Sequence, residues 1–149
     1  MTGIEQRITL QAERARVFKA LTSEAELMKW FPSVAKTDPR AGGKLRYEWA
    51  FENTENDGFQ DMEYTEFADG QGFSHTWDAG GQPTIVQFAL SGENGQTEVH
   101  LMHTGWEEGM DEAVEMHAGI WEGYMSNLKH YLEEGGDMRD QMKGQKTNG

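Results

Sequence analysis

The sequence is poor in cysteine, in basic residues and in long apolar runs. None of its 149 residues is cysteine, which excludes disulfides, a thiolate nucleophile, a zinc finger and an iron–sulfur cluster. Lysine and arginine number 13 against 26 aspartates and glutamates, so the formal net charge is −13. That charge repels phosphate backbones and anionic lipid surfaces, and we therefore expect no nucleic-acid partner. No stretch approaches the ~20 apolar residues of a membrane-spanning helix, so no membrane span is expected.

Targeting and cofactor motifs are missing as well. The first residues, MTGIEQRITL, have no basic segment followed by an apolar run, as a secretory signal would. We therefore expect a soluble, cytoplasmic protein. No Gly-x-Ser-x-Gly, phosphate-binding glycine loop or dinucleotide fingerprint occurs, and we expect no cofactor. A chain of this length is expected to fold as one domain around a single core.

The clearest positive pattern is a long amphipathic segment from Asp111 to Glu134. Its apolar and aromatic residues recur at spacings of three and four, which predicts a helix about 36 Å long with one buried face. Asp111 is predicted to cap its start, and Gly135 with Gly136 to end it. The buried stripe comprises Val114, His117, Ile120, Trp121, Tyr124, Met125, Leu128, Tyr131 and Leu132.

The N-terminal part of the chain predicts a strand followed by two short helices. The run IEQRITL favours a strand, and residues 12–21 place their apolar side chains on one helical face. Ser23 and Glu26 have the spacing of a capping box that opens a second helix, and Pro32 ends that helix. We expect the two helices to form a compact brace.

The middle of the chain predicts antiparallel strands joined by tight turns. The run KLRYEWAF alternates apolar and polar residues, and four further runs follow: DMEYTEFA, GFSHTWD, TIVQFALS and QTEVHLMHT. Asp69-Gly70 and Asn94-Gly95 favour hairpin turns because both residue pairs tolerate a positive φ. With the first strand, the sheet is predicted to hold about six strands. Residues 137–149 show no apolar period, so we expect a single domain over residues 1–136 and a mobile C-terminal tail.

Several of these runs, in this order, resemble the activator-of-heat-shock-ATPase homologue family of the START-like (SRPBCC) superfamily. They are RVFKALTSEAELMKWF, the Gly-Gly pair before the aromatic strand, GFSHTW, TIVQFAL, TEVHLMHTGW and HAGIWEGYMSNLKHYL, within about residues 4 to 134. The resemblance implies an α+β helix-grip fold, in which a curved antiparallel sheet wraps the C-terminal helix and leaves a cavity between them. Members often carry glycine before the helix tryptophan, whereas Ile120 precedes Trp121 here, which would narrow that cavity.

Strand alternation selects the side chains that face the long helix. Many of them are Tyr, Trp or His, whose polar atoms need a partner when buried. Two interpretations stay open, an ordinary packed core or a concave apolar pocket with a few polar groups. The candidate ligand-binding residues are Trp30, Tyr47, Trp49, Phe51, Met62, Tyr64, His75, Trp77, Phe88, His103, His117, Ile120, Trp121 and Tyr124.

Catalytic and metal-binding arrangements have less support in the sequence. His100 and His103 are three apart on a predicted strand and face opposite sides, which leaves His103 with His117 and a carboxylate as a conceivable metal site. Glu66 is the acidic residue that shares the inward parity, and a solvated strand end explains it better than general acid–base catalysis does. We therefore predict no catalytic residue and no metal ligand.

Three functions are compatible with these patterns. The first is binding of an apolar or amphipathic small molecule in a cavity between the sheet and the long helix, without catalysis. The second is a co-chaperone-like domain that acts on a protein partner, such as a chaperone, through its surface. The third is an enzyme on the same scaffold. An exposed apolar patch would favour the second, and we expect either a monomer or a homodimer.

Overall fold

The computed structural model describes residues 3–49 and 58–139, which form three helices and seven strands. Among these residues, no helix has both the length and the apolar character needed to cross a membrane. The elements in chain order are β1 (Ile4–Leu10), α1 (Arg14–Thr22), α2 (Glu24–Leu27), β2 (Val34–Thr37), β3 (Lys44–Trp49), β4 (Gly58–Ala68), β5 (Gly72–Ala79), β6 (Gln82–Ser91), β7 (Thr97–Thr104) and α3 (Asp111–Glu134).

The strands form one antiparallel sheet in the order β1-β7-β6-β5-β4-β3-β2, and α3 packs on its inward face. The predicted helix-grip fold is therefore confirmed. Between Tyr64 and Glu66 the register of β4 against β5 shifts, an irregularity that bends a strand and increases its twist. Past this shift the inward parity read from the sequence no longer holds on β4: Glu66 is exposed, whereas Phe67 pairs with the buried Phe73 and packs against the core.

Strand β2 is the element that sequence analysis missed, so the prediction of six strands was one short. It has only four residues, VAKT, and pairs with β3 at the edge of the sheet. Ala35 is its one buried residue. A single buried position cannot show an alternating pattern, so periodicity carries no signal for this strand.

Neither of the two predicted N-terminal side-chain caps forms. Ser23 precedes α2, but its side chain makes no capping hydrogen bond. Glu26, the other half of the expected capping box, instead accepts hydrogen bonds from Arg16 Nη1 (2.8 Å) and from the Tyr131 hydroxyl (2.6 Å). Likewise Asp111 is already inside α3, and the residue before it, Met110, caps the helix without a side-chain bond.

We expect Ser23→Ala to change the free energy of unfolding by less than about 0.5 kcal/mol, because no side-chain hydrogen bond is lost. Glu26→Ala is the matched comparison, and it should cost about 1 kcal/mol since two hydrogen bonds to Glu26 disappear. Urea denaturation of both variants measures the difference. A larger loss for Ser23→Ala than for Glu26→Ala would show that the capping box forms in solution.

Gly135 ends α3 in the left-handed conformation, as predicted, with φ at 78°. The residues that follow, Asp137, Met138 and Arg139, then fold back onto the body of the protein, and we call these three residues the C-terminal clasp. Arg139 donates from Nη2 to Met28 O (2.7 Å) and from Nη1 to Pro32 O (2.8 Å). The expected tail boundary at residue 136 is therefore corrected for residues 137–139, and residues 140–149 lie outside the described residues.

A buried asparagine joins the C-terminal clasp to α3. Asn127 Nδ2 donates to Trp30 O (2.7 Å) and to Asp137 Oδ1 (3.0 Å), while its Oδ1 accepts from the Met138 backbone N–H (2.6 Å). Burial of the Asp137 carboxylate opposes its ionisation, but hydrogen bonds from Arg139 and Asn127 outweigh this and hold its pKa below the usual value. The clasp thus links α3 to the connection between α2 and β2.

Candidate functional site

Helix α3 buries its two halves unequally. Its fully buried residues begin at Trp121: Trp121, Tyr124, Met125, Asn127 and Leu128. In the first half, from Asp111 to Ile120, no residue is fully buried, and only Ala113, Val114, His117 and Ala118 are half-buried. The first half of α3 therefore packs loosely on the sheet, and this is the side from which a small molecule could reach the interior.

A cluster of aromatic rings lies beneath α3, and Phe31 is at its centre. Its ring centroid is 4.7 Å from that of Tyr124, 5.5 Å from Trp121 and 5.6 Å from Trp49. Trp77 continues the cluster at 5.4 Å from Trp121 and 6.1 Å from Trp49. These separations are those of favourable edge-to-face and offset pairs. We call these five residues, together with Tyr47, the aromatic interior.

Most of the sequence-predicted binding residues lie inside, on the face that α3 covers. Trp49 and His117 are half-buried, and Phe51 lies outside the described residues. Trp30 is fully buried and stacks on Phe31 at 5.1 Å. The buried members on the inward face of the sheet and on α3 are Tyr47, Met62, Tyr64, His75, Trp77, Phe88, His103, Trp121 and Tyr124.

Ile120 was placed on the wrong side of the helix. It is 46% exposed, whereas its neighbour Trp121 is 2% exposed. Adjacent helical residues point about 100° apart, so a Trp121 side chain directed at the sheet turns Ile120 toward solvent. Ile120 therefore does not narrow the interior.

Two buried aromatic residues outside the helices and strands were not among the predicted site residues. Phe31 belongs to the connection between α2 and β2, and Trp106 follows β7 and donates its indole N–H to His103 O (3.0 Å). Both stand outside any helical or strand period. The signal that could have found them is compositional, because a large aromatic residue beside Pro32 or Gly105 is unusual for a solvated loop.

His103 has both ring nitrogens engaged. Trp121 Nε1, which can only donate, points at His103 Nδ1 (3.1 Å), so Nδ1 is the acceptor and the proton resides on Nε2. Nε2 then donates to Thr84 Oγ1 (2.7 Å), which in turn donates to Trp77 O (2.8 Å). Burial, together with the smaller effect of the nearby imidazoles of His117 and His75, lowers the pKa of His103 to about 3.

This arrangement removes His103 from acid–base and metal chemistry. A metal ion at either nitrogen would have to displace a hydrogen bond that already satisfies it. The neighbouring His117 uses its Nδ1–H to donate to Ala113 O (2.8 Å). Among the described residues, no group of three or more potential metal ligands occurs. Glu66 is exposed and only accepts from the Ser74 hydroxyl (3.3 Å), so no acid–base pair assembles on the inward face around it.

His75 and His103 should remain neutral well below pH 6. Burial lowers the pKa of His75 to about 4, although the hydrogen bond from its Nδ1 to Thr76 O favours the charged form. In the unfolded chain both groups have a pKa of about 6.5, so the unfolded state binds more protons between about pH 3 and pH 6.5. The stability that the neutral rings confer is complete above pH 6.5 and is lost as pH falls through that window.

Nuclear magnetic resonance of the imidazole nitrogens measures this prediction directly. We expect His103 to keep an unprotonated Nδ1 and a protonated Nε2 at pH 5, while a solvent-accessible histidine titrates near pH 6.5. The urea-unfolded chain, in which the ring of His103 is exposed to solvent, is the control. Titration of the His103 ring near pH 6.5 in the folded protein would contradict the hydrogen-bond assignment.

Two buried donors of this region have no hydrogen-bond partner among the described residues: Trp77 Nε1 and the Tyr64 hydroxyl. Trp49 Nε1 also falls short of regular hydrogen-bond geometry, although it lies near enough to the Tyr124 hydroxyl to lower the pKa of that group. Burial has the larger effect and raises the pKa of Tyr124 to about 12. A buried unpaired donor costs about 1–3 kcal/mol, so these atoms need an explanation.

Three surface depressions lie away from the aromatic interior. Two of them adjoin α1 and the turn after β4, with Phe18 and Asp69 among the lining residues. The third is lined by residues of β4, β5 and β6 around Phe73 and Phe88, together with Gln71 of the β4–β5 turn. None of these three is lined by a residue of α3, so they do not coincide with the aromatic interior.

A match to a family model shows which known proteins this chain is related to. The model described as activator of Hsp90 ATPase homolog 1-like protein matches residues 11–133. The chain belongs to this family. Its sequence-based assignment is confirmed by that match, while no curated protein matches the chain significantly.

Solved structures of similar proteins share the fold. The Aha1 dimer from Colwellia psychrerythraea, a solution structure, is 25% identical with a TM-score of 0.77, over 91% of this chain and 98% of that one. Protein MLL2253 from Mesorhizobium loti is 16% identical with a TM-score of 0.77, over 88% and 96%. DynU16, a protein of the dynemicin biosynthetic locus, is 19% identical with a TM-score of 0.79, over 91% of this chain and 49% of that one. At these identities the last two show the fold alone.

Proposed function

We propose that the protein binds an apolar or amphipathic small molecule between the sheet and the first half of α3, without chemical change. The observation that carries this proposal is that the first half of α3 is only partly buried, while donors buried beneath the helix lack acceptors. The first half of α3 leaves Val114 and His117 half-buried above the aromatic interior, where Trp77 Nε1 has no partner among the described residues. The helix-grip fold of this family is a general ligand-binding scaffold, which supports the proposal.

Tryptophan fluorescence titration with fatty acids, flavonoids and polycyclic compounds tests the proposal. Trp49, Trp77 and Trp121 would report on a bound molecule, and we expect at least one compound with micromolar affinity, about −8 kcal/mol. Val114→Phe adds volume to the half-buried side of α3 and should weaken binding at least about tenfold. Gly119→Leu is the matched control because Gly119 is exposed and has open space around it. Equal affinities for both variants would place any binder elsewhere.

A second function is favoured by a different observation. Met116 and Ile120 are one helical turn apart on α3 and are 58% and 46% exposed. Exposed apolar side chains that neighbour each other favour a protein contact, either with a chaperone or with a second copy. The Colwellia relative is a dimer. Met116→Glu with Ile120→Glu should abolish such an association, measured by light scattering or chaperone pull-down, and leave small-molecule binding unchanged.

A further inference from the structure

We infer that the ligand of this site is a neutral, flat molecule whose carbonyl-type oxygen accepts a hydrogen bond from Trp77 Nε1, and that carboxylates are rejected. This inference rests on the proposed function and specifies the chemical class of its ligand. Three features of the described residues carry it: the unpaired indole N–H of Trp77, the surrounding ring faces and the distribution of cations.

Trp77 supplies an unpaired donor that is buried beneath the first half of α3. Its side chain is 7% exposed, and Nε1 has no hydrogen-bond partner among the described residues. An indole nitrogen can only donate, so its partner must be an acceptor. The Trp77 ring lies 6.1 Å from Trp49 and 6.4 Å from His117, both half-buried. Trp77 is therefore separated from solvent by a single layer of half-buried side chains, those of Trp49 and His117.

Three neighbouring donors are already engaged with protein acceptors, whereas Trp49 Nε1 and the Tyr64 hydroxyl have no regular partner among the described residues. The indole N–H groups of Trp30 and Trp121 donate to Ala20 O (2.8 Å) and His103 Nδ1 (3.1 Å). His103 Nε2–H is directed at Thr84. A ligand that brought only donors would leave Trp77 unpaired, whereas one that brings an oxygen acceptor would satisfy it.

The charge distribution argues against an anionic ligand. In the described part of the chain every Lys and Arg is exposed, apart from Arg46 and Arg139, which are half-buried. Arg46 pairs with Glu48 and Asp61, and Arg139 directs its nitrogens to backbone carbonyls and Asp137. Residues 50–57, AFENTEND, contain no Lys or Arg either. Over residues 3–49 and 58–139, a carboxylate inside would thus find no unpaired Lys or Arg as counter-ion, and an unpaired buried charge is costly.

The ring faces determine the shape of the ligand. Trp77 and Trp121 are inclined at 51°, and Trp77 and Trp49 at 64°, so the three indoles present faces and edges rather than one flat stack. A planar ring system gains offset-stacked and edge-to-face contacts with such a set. A flexible alkyl chain gains area burial but loses conformational entropy when it is held in this space. Flat, fused-ring ketones therefore fit better than fatty acyl chains.

A matched set of three probes tests the inference: fluorene, which has no oxygen, fluorenone, which adds a ketone, and fluorenone-2-carboxylate, which adds a charge. Their affinities for the full chain are measured by competition with a fluorescent apolar dye at pH 7.5. We expect fluorenone to bind about fivefold tighter than fluorene, the scale of one hydrogen bond. We expect the carboxylate to bind at least about tenfold more weakly than fluorenone.

Trp77→Phe removes the donor and keeps an aromatic ring. In this variant fluorenone and fluorene should bind equally well, because only the ketone loses a partner. In the wild type, fluorenone but not fluorene should shift the Trp77 indole N–H resonance downfield, a measurement that does not depend on the variant folding. Equal affinities of fluorene and fluorenone in the wild type, or tightest binding of the carboxylate, would overturn the inference and leave the proposed function standing. If none of the three binds or displaces the dye, both fail.

Discussion

Replacing Trp30 with alanine is expected to lower the free energy of unfolding by about 3–5 kcal/mol, as for other large aromatic residues removed from a core. Trp30 is fully buried, stacks on Phe31 at 5.1 Å and donates from Nε1 to Ala20 O (2.8 Å). Its removal leaves a cavity, an unpaired carbonyl on Ala20, and a Phe31 ring without its stacking partner. Equilibrium urea unfolding followed by circular dichroism measures the loss.

Trp30→Phe separates the two contributions. It keeps a ring against Phe31 but removes the hydrogen bond to Ala20 O, so we expect a loss of about 1–3 kcal/mol. A Trp30→Ala variant within about 1 kcal/mol of the wild type would show that the connection between α2 and β2 is loosely held in solution. Phe31 would then be free to leave the aromatic interior, and the connection would act as a lid.

Ending the chain at Gly136 is expected to cost about 2–4 kcal/mol, because it removes the C-terminal clasp. Arg139 makes hydrogen bonds with the carbonyls of Met28 and Pro32, and Asn127 would lose its bonds to Asp137 and Met138. Hydrogen bonds to charged groups contribute about 1.5–3 kcal/mol each, and part of this is offset by the entropy of ordering the segment.

Two variants make this prediction specific. A chain that ends at Arg139 keeps every clasp residue and should stay within about 0.5 kcal/mol of the full chain. Arg139→Lys in the full chain keeps the charge but loses the forked geometry that reaches two carbonyls and Asp137 together. This variant should retain less than half of the stability that is lost when the chain ends at Gly136. Equal stability of the chains that end at Gly136 and at Arg139 would contradict the structural role of the clasp.

Periodicity predicted the parts of this fold that bury a repeating face. The stripe on α3 and the alternating runs of β3 to β7 recur often enough that a single exception does not hide them. The buried inward face follows the parity of the sequence except after the register shift in β4, where Glu66 is exposed. The first strand, IEQRITL, was also recovered although its alternation is imperfect. The architecture was therefore predictable because each of these elements carries its own repeated signal.

Features held by single polar contacts were not predictable. Strand β2 buries one residue, and the C-terminal clasp binds through Arg139 to backbone carbonyls, which leaves no apolar period in the sequence. The His103 hydrogen bonds depend on Thr84 and Trp121, which are 19 and 18 residues away. Which inward-facing polar atom stays without a partner, Trp77 Nε1 among them, follows from packing between distant segments and not from local spacing.

Native mass spectrometry of the protein purified from the organism that makes it tests the central claim most directly. If the protein holds a small molecule beneath the first half of α3, the spectrum should show a species heavier than the 16.9 kDa chain. That extra mass should be lost on denaturation, diminished in Val114→Phe and retained in Gly119→Leu. A wild-type spectrum with only the mass of the bare chain, together with no small molecule in the denatured extract and no compound that quenches tryptophan emission, would contradict the account.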